Sequence, residues 1–108
     1  LKAEDVLSLR AQVRQVTFSD ALLGFVYDLV TATRTNHELE VGLSPRASLA
    51  LVEASQAMAF LEGRTYVTPE DVQAVFLPLS VHRVVGRGSN RGDETTVLEQ
   101  VLKQTPVP

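Results

Sequence analysis

Residues 45–62 constrain the fold more than any other part of this chain. On a 3.6-residue period, Leu51, Ala54, Met58 and Leu61 fall on one face, and Ala47, Ala50, Ala54 and Ala57 fall on the face beside it. An apolar surface that wide, built from small side chains, belongs to a helix packed on several sides. The rest of the sequence must therefore supply the elements that pack on it.

It supplies helices. The spacing of Val6, Leu9 and Val13 predicts a first helix from Glu4 to about Val16, with acids early and arginines late, as the helix dipole favours. A second runs from Asp20, capped by Ser19, to about Thr33, with Leu22, Phe25, Val26, Leu29 and Val30 as its stripe. A polar connection follows, with Gly42 as its turn residue. The third helix starts at Pro45 and is closed by Gly63 as the residue after the C-cap. Tyr66 and Val67 form an extended link too brief for a sheet. A fourth helix begins after Thr68, with Val72, Val75 and Phe76 inward. Pro78 lacks an N–H and crowds the preceding turn, so a break is expected near Leu77, with a separate short helix from about Leu79 to Val84. Residues 86–92 read as a flexible glycine loop. Asp93 or Thr95 caps a final helix with Val97, Leu98, Val101 and Leu102 on one face. The expected fold class is all-α, a bundle of five to six helices.

Composition removes several functions. A length of 108 residues makes one domain, and 44% hydrophobic with 21% charged residues is ordinary for a globular one. Without cysteine there is no disulfide or thiolate chemistry, which agrees with a reducing, cytoplasmic setting. A net charge of −3 argues against nucleic acid as partner, because no basic field drives phosphate neutralisation. No apolar run approaches a membrane span, and the amino end does not resemble a signal peptide. Lacking an initiator Met, the chain reads as a piece of a longer protein.

Catalytic groups are missing too. His37 and His82 lie in different elements without ligand partners at helical spacing, so structural roles are expected for both and no metal site is assigned. The acid pairs Glu4/Asp5, Glu70/Asp71 and Asp93/Glu94 all fall near helix starts, where dipole compensation accounts for them. No phosphate-binding loop of the G-x-x-x-x-G-K-[ST] type is present. Arg91-Gly92-Asp93 matches an adhesion tripeptide only at the level of three letters, and Arg83, Arg87 and Arg91 read as a solvated basic segment.

One electrostatic oddity remains. Ser44 is a good N-cap and Pro45 suits the first helical position. Arg46 then sits in the first turn, against the positive end of the dipole, at a typical cost of about 0.3–1 kcal/mol. The comparable start Thr68-Pro69-Glu70-Asp71 carries two acids, and Asp71 can close a capping box with Thr68. Two readings of Arg46 are open at this point. It can be a surface residue, tolerated or paired with a distant carboxylate, or it can share an anion with the free amides of the helix start.

The segments Gly42-Leu43-Ser44-Pro45-Arg46-Ala47-Ser48-Leu49-Ala50-Leu51, then Glu62-Gly63-Arg64-Thr65-Tyr66-Val67-Thr68-Pro69-Glu70-Asp71-Val72-Gln73-Ala74, then His82-Arg83, resemble the C-terminal lid of MoxR-family AAA+ ATPases. Leu9 to Arg34 is similar to the first lid helices, and Thr105-Pro106-Val107-Pro108 to the family's ending. The resemblance implies a single lid domain over residues 1–108, detached from its α/β core. It implies that Arg46 is the sensor-2 arginine, nucleotide-binding through the ATP γ-phosphate, with Ser44 and Pro45 shaping the helix start. It further implies ATP and Mg2+ in the full-length protein and none in this piece. Expected partners are the core of the same chain, neighbouring subunits of a chaperone-like ring, and von Willebrand factor A domain proteins. The Walker motifs belong to the core, so this chain alone is not expected to hydrolyse ATP. No role attaches to the loop from Gly86 to Asp93. The rival reading is a free-standing helical interaction module with no nucleotide role.

Overall fold

The computed structural model describes residues 2–108. Among these, five α-helices surround one core: α1 (Ala3–Arg14), α2 (Asp20–Thr35), α3 (Pro45–Leu61), α4 (Pro69–Ser80) and α5 (Glu94–Gln104). Two short strands, β1 (Leu39–Val41) and β2 (Val85–Gly86), pair antiparallel beside them. The expected helical class holds. α3 is the central element, packing on α4 most extensively and on α1 and α2 as well, while α5 closes the bundle against α2 and α4. Leu29, Leu51, Val72, Phe76 and Leu98 are wholly buried at the centre, with Phe25 and Leu43 almost so.

The inward stripe of α2 is as the periodicity predicts, and Ser19 caps it by accepting from the Leu22 N–H at 3.2 Å. α3 departs further from expectation: its buried residues are Ala47, Leu51, Ser55, Gln56 and Ala59, while Ala50, Ala54, Ala57 and Met58 of the expected faces are only half-buried. Leu51 is at the core, but Leu61 is 82% exposed, because the helix ends there and Gly63, at φ +76°, turns the chain away.

Four expectations need correction. First, α1 stops at Arg14 and buries nothing: Val6 and Leu9 are 43% and 42% exposed, and Val13 is only half-buried. Its apolar stripe faces a groove, not the core. Second, α4 runs straight through Pro78 to Ser80, and residues 81–83 form a turn in place of a separate helix. Ala74 and Pro78 both lie on the exposed face, where water can satisfy the acceptor that proline leaves without a donor. Third, the connection after α2 and the start of the glycine loop meet as the β1–β2 ribbon, with Leu39 opposite Gly86 and Val41 opposite Val85. The link at Tyr66 forms only an isolated parallel bridge with Thr17. Fourth, the loop over residues 86–93 is pinned. The Glu94 carboxylate accepts from the amides of Gly86 and Gly92, and Arg91 pairs with Glu40 at 2.7 Å. Gly86 is required by packing, since a Cβ there would collide with the Asn90 carbonyl.

The candidate sensor site at the start of helix α3

The path into α3 is held tightly. Thr33, buried near the end of α2, donates its hydroxyl to the Val30 carbonyl at 2.7 Å and accepts from the Leu43 N–H at 3.0 Å. Gly42 passes so close to α2 that a Cβ would lie 2.5 Å from the Thr33 carbonyl oxygen and 2.7 Å from the Arg34 Cα. Gly42 is therefore needed for close approach, where the sequence had offered only a turn. Leu43 is itself buried, so its side chain fixes the same segment a second time.

Beyond this anchor the helix opens. Ser44 has the extended backbone of an N-cap (φ −72°, ψ 161°) and Pro45 is at the helix start, but the Ser44 hydroxyl makes no capping hydrogen bond. Only its carbonyl is engaged, accepting from the Ala47 N–H at 2.9 Å. No acid lies in the first turn. Arg46 is exposed, and among the described residues its guanidinium takes part in neither of the two ion pairs. A cation, unpaired side-chain and backbone donors, and the positive end of the dipole thus meet with no anion from the described residues.

The start of α4 shows the alternative. The Thr68 hydroxyl accepts from the Asp71 N–H at 3.3 Å, and Asp71 Oδ2 accepts from the Thr68 N–H at 2.8 Å, which completes the expected capping box. Arg64 grips the same carboxylate with two hydrogen bonds of 2.8 and 2.6 Å. Asp71 is buried, so that helix start is closed to any outside ligand. Sequence reasoning left Arg64 without a role. The available signal was chemical: a capping box uses part of the carboxylate's acceptor capacity, and a buried acid seeks a second donor.

The end of α2 and the start of α3 also enclose an open groove of ≈ 510 Å³ lined by Tyr27, Val30, Thr31, Arg34, Pro45 and Ser48, among others, and Arg46 is not part of that lining. Arg34 occupies the last turn of α2, where its charge suits the dipole. The remaining candidates stay apart from this site. His37 and His82 lie on the surface in separate connections, and the described residues contain no cluster able to hold a metal ion. No helix among them is long and apolar enough to cross a membrane.

A family model described as the AAA lid domain matches residues 31–104. The chain belongs to the AAA lid domain family, and its kinship lies with the lids of MoxR-type AAA+ ATPases. It is 32% identical over its whole length to the protein named Chaperone MoxR1 of Mycobacterium tuberculosis, of which it spans 32%. Over 65% of its length it is 39% identical to YeaC, an uncharacterized protein of Bacillus subtilis, covering 22% of that protein. Protein MoxR of Paracoccus denitrificans is 38% identical over 61% of the chain, which covers 23% of it. In structure, 97% of the chain superposes with a TM-score of 0.90 and 28% identity on part of a crystal structure from Cytophaga hutchinsonii, a candidate ATPase, covering 36% of that chain. The chain thus spans about a fifth to a third of these relatives.

Proposed function

We propose that this domain senses nucleotide in a MoxR-type AAA+ ATPase, with Arg46 contacting the terminal phosphate of ATP bound to the α/β core of the same polypeptide. The observation that carries the reading is the unpaired guanidinium in the first turn of a helix whose start has neither an acid nor a side-chain cap. Family membership supports it, since the lid is a module that works against such a core. Residues 1–108 act as one lid domain in this reading. Ser44 and Pro45 set the backbone that aims Arg46. The core holds Mg2+ and carries out hydrolysis, and the lid supplies no catalytic group.

The mechanism is a nucleotide-dependent angle. The terminal phosphate exists before hydrolysis and is gone after it, so a contact to it biases one lid–core arrangement over another. A charge-assisted hydrogen bond contributes about 1.5–3 kcal/mol, which shifts such an equilibrium by roughly 10- to 150-fold. In a cytoplasmic ring of subunits, these movements would remodel a bound protein, with von Willebrand factor A domain proteins as one partner class. Replacing Arg46 with Ala in the full-length protein is expected to lower ATP turnover or abolish the ATP-dependent rearrangement, by a factor in that range, while the domain stays folded. Unchanged turnover and unchanged rearrangement would refute the reading.

A further inference from the structure

The two helix starts that carry a proline are held in different ways. At α4 the Thr68 hydroxyl and the Asp71 carboxylate each accept from the other's amide, so the first turn fixes itself. At α3 the Ser44 hydroxyl makes no such bond. A side-chain cap there would occupy an amide that an anion needs. A start that keeps its amides free must be ordered from outside the helix.

That order comes from α2. The described residues with buried hydroxyls are Thr33, Ser55, Ser80 and Thr105. Ser55 and Thr105 donate to carbonyls four residues back, and Ser80 has no partner. Thr33 alone among them links two elements, donating to the Val30 carbonyl within α2 and accepting from the Leu43 N–H at 3.0 Å. Leu43 is buried, so water cannot replace that hydroxyl. The Leu43 side chain anchors the residue in the core, and the bond to Thr33 sets the plane of its peptide. On the other side of Arg46, Ala47 is buried as well. Arg46 therefore lies between two fixed points, with the Pro45 ring holding φ between them.

We infer that Thr33 is a positioning residue for Arg46, its hydroxyl ordering the uncapped first turn of α3 so that the guanidinium is aimed before the nucleotide arrives. The inference rests on the phosphate reading of Arg46. Without the Thr33 bond, only Ala47 fixes the turn. Residues 44–46 then fray, and a contact that demands one orientation forms less often.

The test uses the full-length protein and reads ATP turnover, amide hydrogen exchange at Leu43 and thermal unfolding. Thr33→Val keeps the volume and removes the hydroxyl, Thr33→Ser keeps the hydroxyl, and Thr105→Val removes a buried hydroxyl that bonds only locally. Thr33→Val should speed exchange at Leu43 about tenfold or more, because the amide loses its only partner. It should lower turnover about three- to tenfold, and in an Arg46→Ala background it should add less than about twofold. Thr33→Ser should restore both readouts, and Thr105→Val should leave turnover unchanged. Should Thr33→Val fail to fold, Thr33→Cys is the second variant, since a thiol of similar size is a poor acceptor and should act in the same direction. An equal fractional loss with and without Arg46 overturns the inference, because Thr33 would then be merely structural. So does a failure of Thr33→Ser to restore turnover, or an equal loss in Thr105→Val. Normal turnover of Thr33→Val beside an impaired Arg46→Ala refutes the positioning role and leaves the phosphate reading standing. A normal Arg46→Ala removes both.

Discussion

If Arg46 is kept for an external anion, the domain alone should be more stable without it. At the second helical position, with no acid in the first turn and no ion pair, the guanidinium opposes the dipole by about 0.3–1 kcal/mol at low ionic strength. Arg46→Glu removes that opposition and adds a favourable interaction of similar size, for a total of about 0.6–2 kcal/mol. With an unfolding entropy near 2.1 cal/mol/K per residue, a chain of 108 residues should gain about 3–9 °C in Tm. The assay is thermal unfolding by circular dichroism at low salt, with Arg46→Ala expected to fall between parent and Glu variant. Raising the salt to near 1 M should shrink the differences, because the Debye length falls to about 3 Å. A drop in Tm for Arg46→Glu would refute the reasoning, since it would mean that the guanidinium stabilises the folded chain. On the proposed phosphate reading, the same substitution in the full-length protein should place a carboxylate against the phosphate and suppress ATP turnover.

Three further outcomes follow from the geometry. Gly42→Ala, which brings a Cβ to 2.5 Å from the Thr33 oxygen, should cost about 1–3 kcal/mol in urea unfolding and loosen the start of α3. Asp71→Ala strips Arg64 of both its hydrogen bonds and opens the capping box, and should lower stability by about 2–4 kcal/mol. Glu94 has its pKa lowered, first by the Gly86 and Gly92 amides and secondarily by its own amide and the Arg91 charge. Because the folded-state value is depressed, its contribution is full above the ordinary glutamate range and is lost as pH falls through the lowered value. Glu94→Gln should therefore flatten the acid limb of the stability profile and speed amide exchange at Gly86 and Gly92 at neutral pH.

Helices α2, α3 and α5 were legible because each buries a stripe whose period shows in the residues. The start of α4 was equally plain, since Thr68, Pro69 and Asp71 act within one turn. What escaped reading depended on distant parts of the chain. Leu39 and Gly86 pair across nearly half the sequence, and strands of three and two residues are too short to carry a period. Pro78 looked like a stop because sequence cannot tell which side of a helix meets water. The stripe of α1 was read correctly as apolar, but what it faces was not legible, since periodicity reports a face and not what covers it. At the site, the charge at Arg46 was conspicuous, but the silent Ser44 hydroxyl and the grip of Arg64 on Asp71 were not.

The buried hydroxyl of Thr33 has a mechanical consequence. It ties the end of one helix to the strand of chain entering the next, and the tight passage at Gly42 leaves no slack between them. A pull on the guanidinium one turn later cannot be absorbed by bending a loop. A force applied there passes to α2 and the core behind it, because the connection has no free length to take it up.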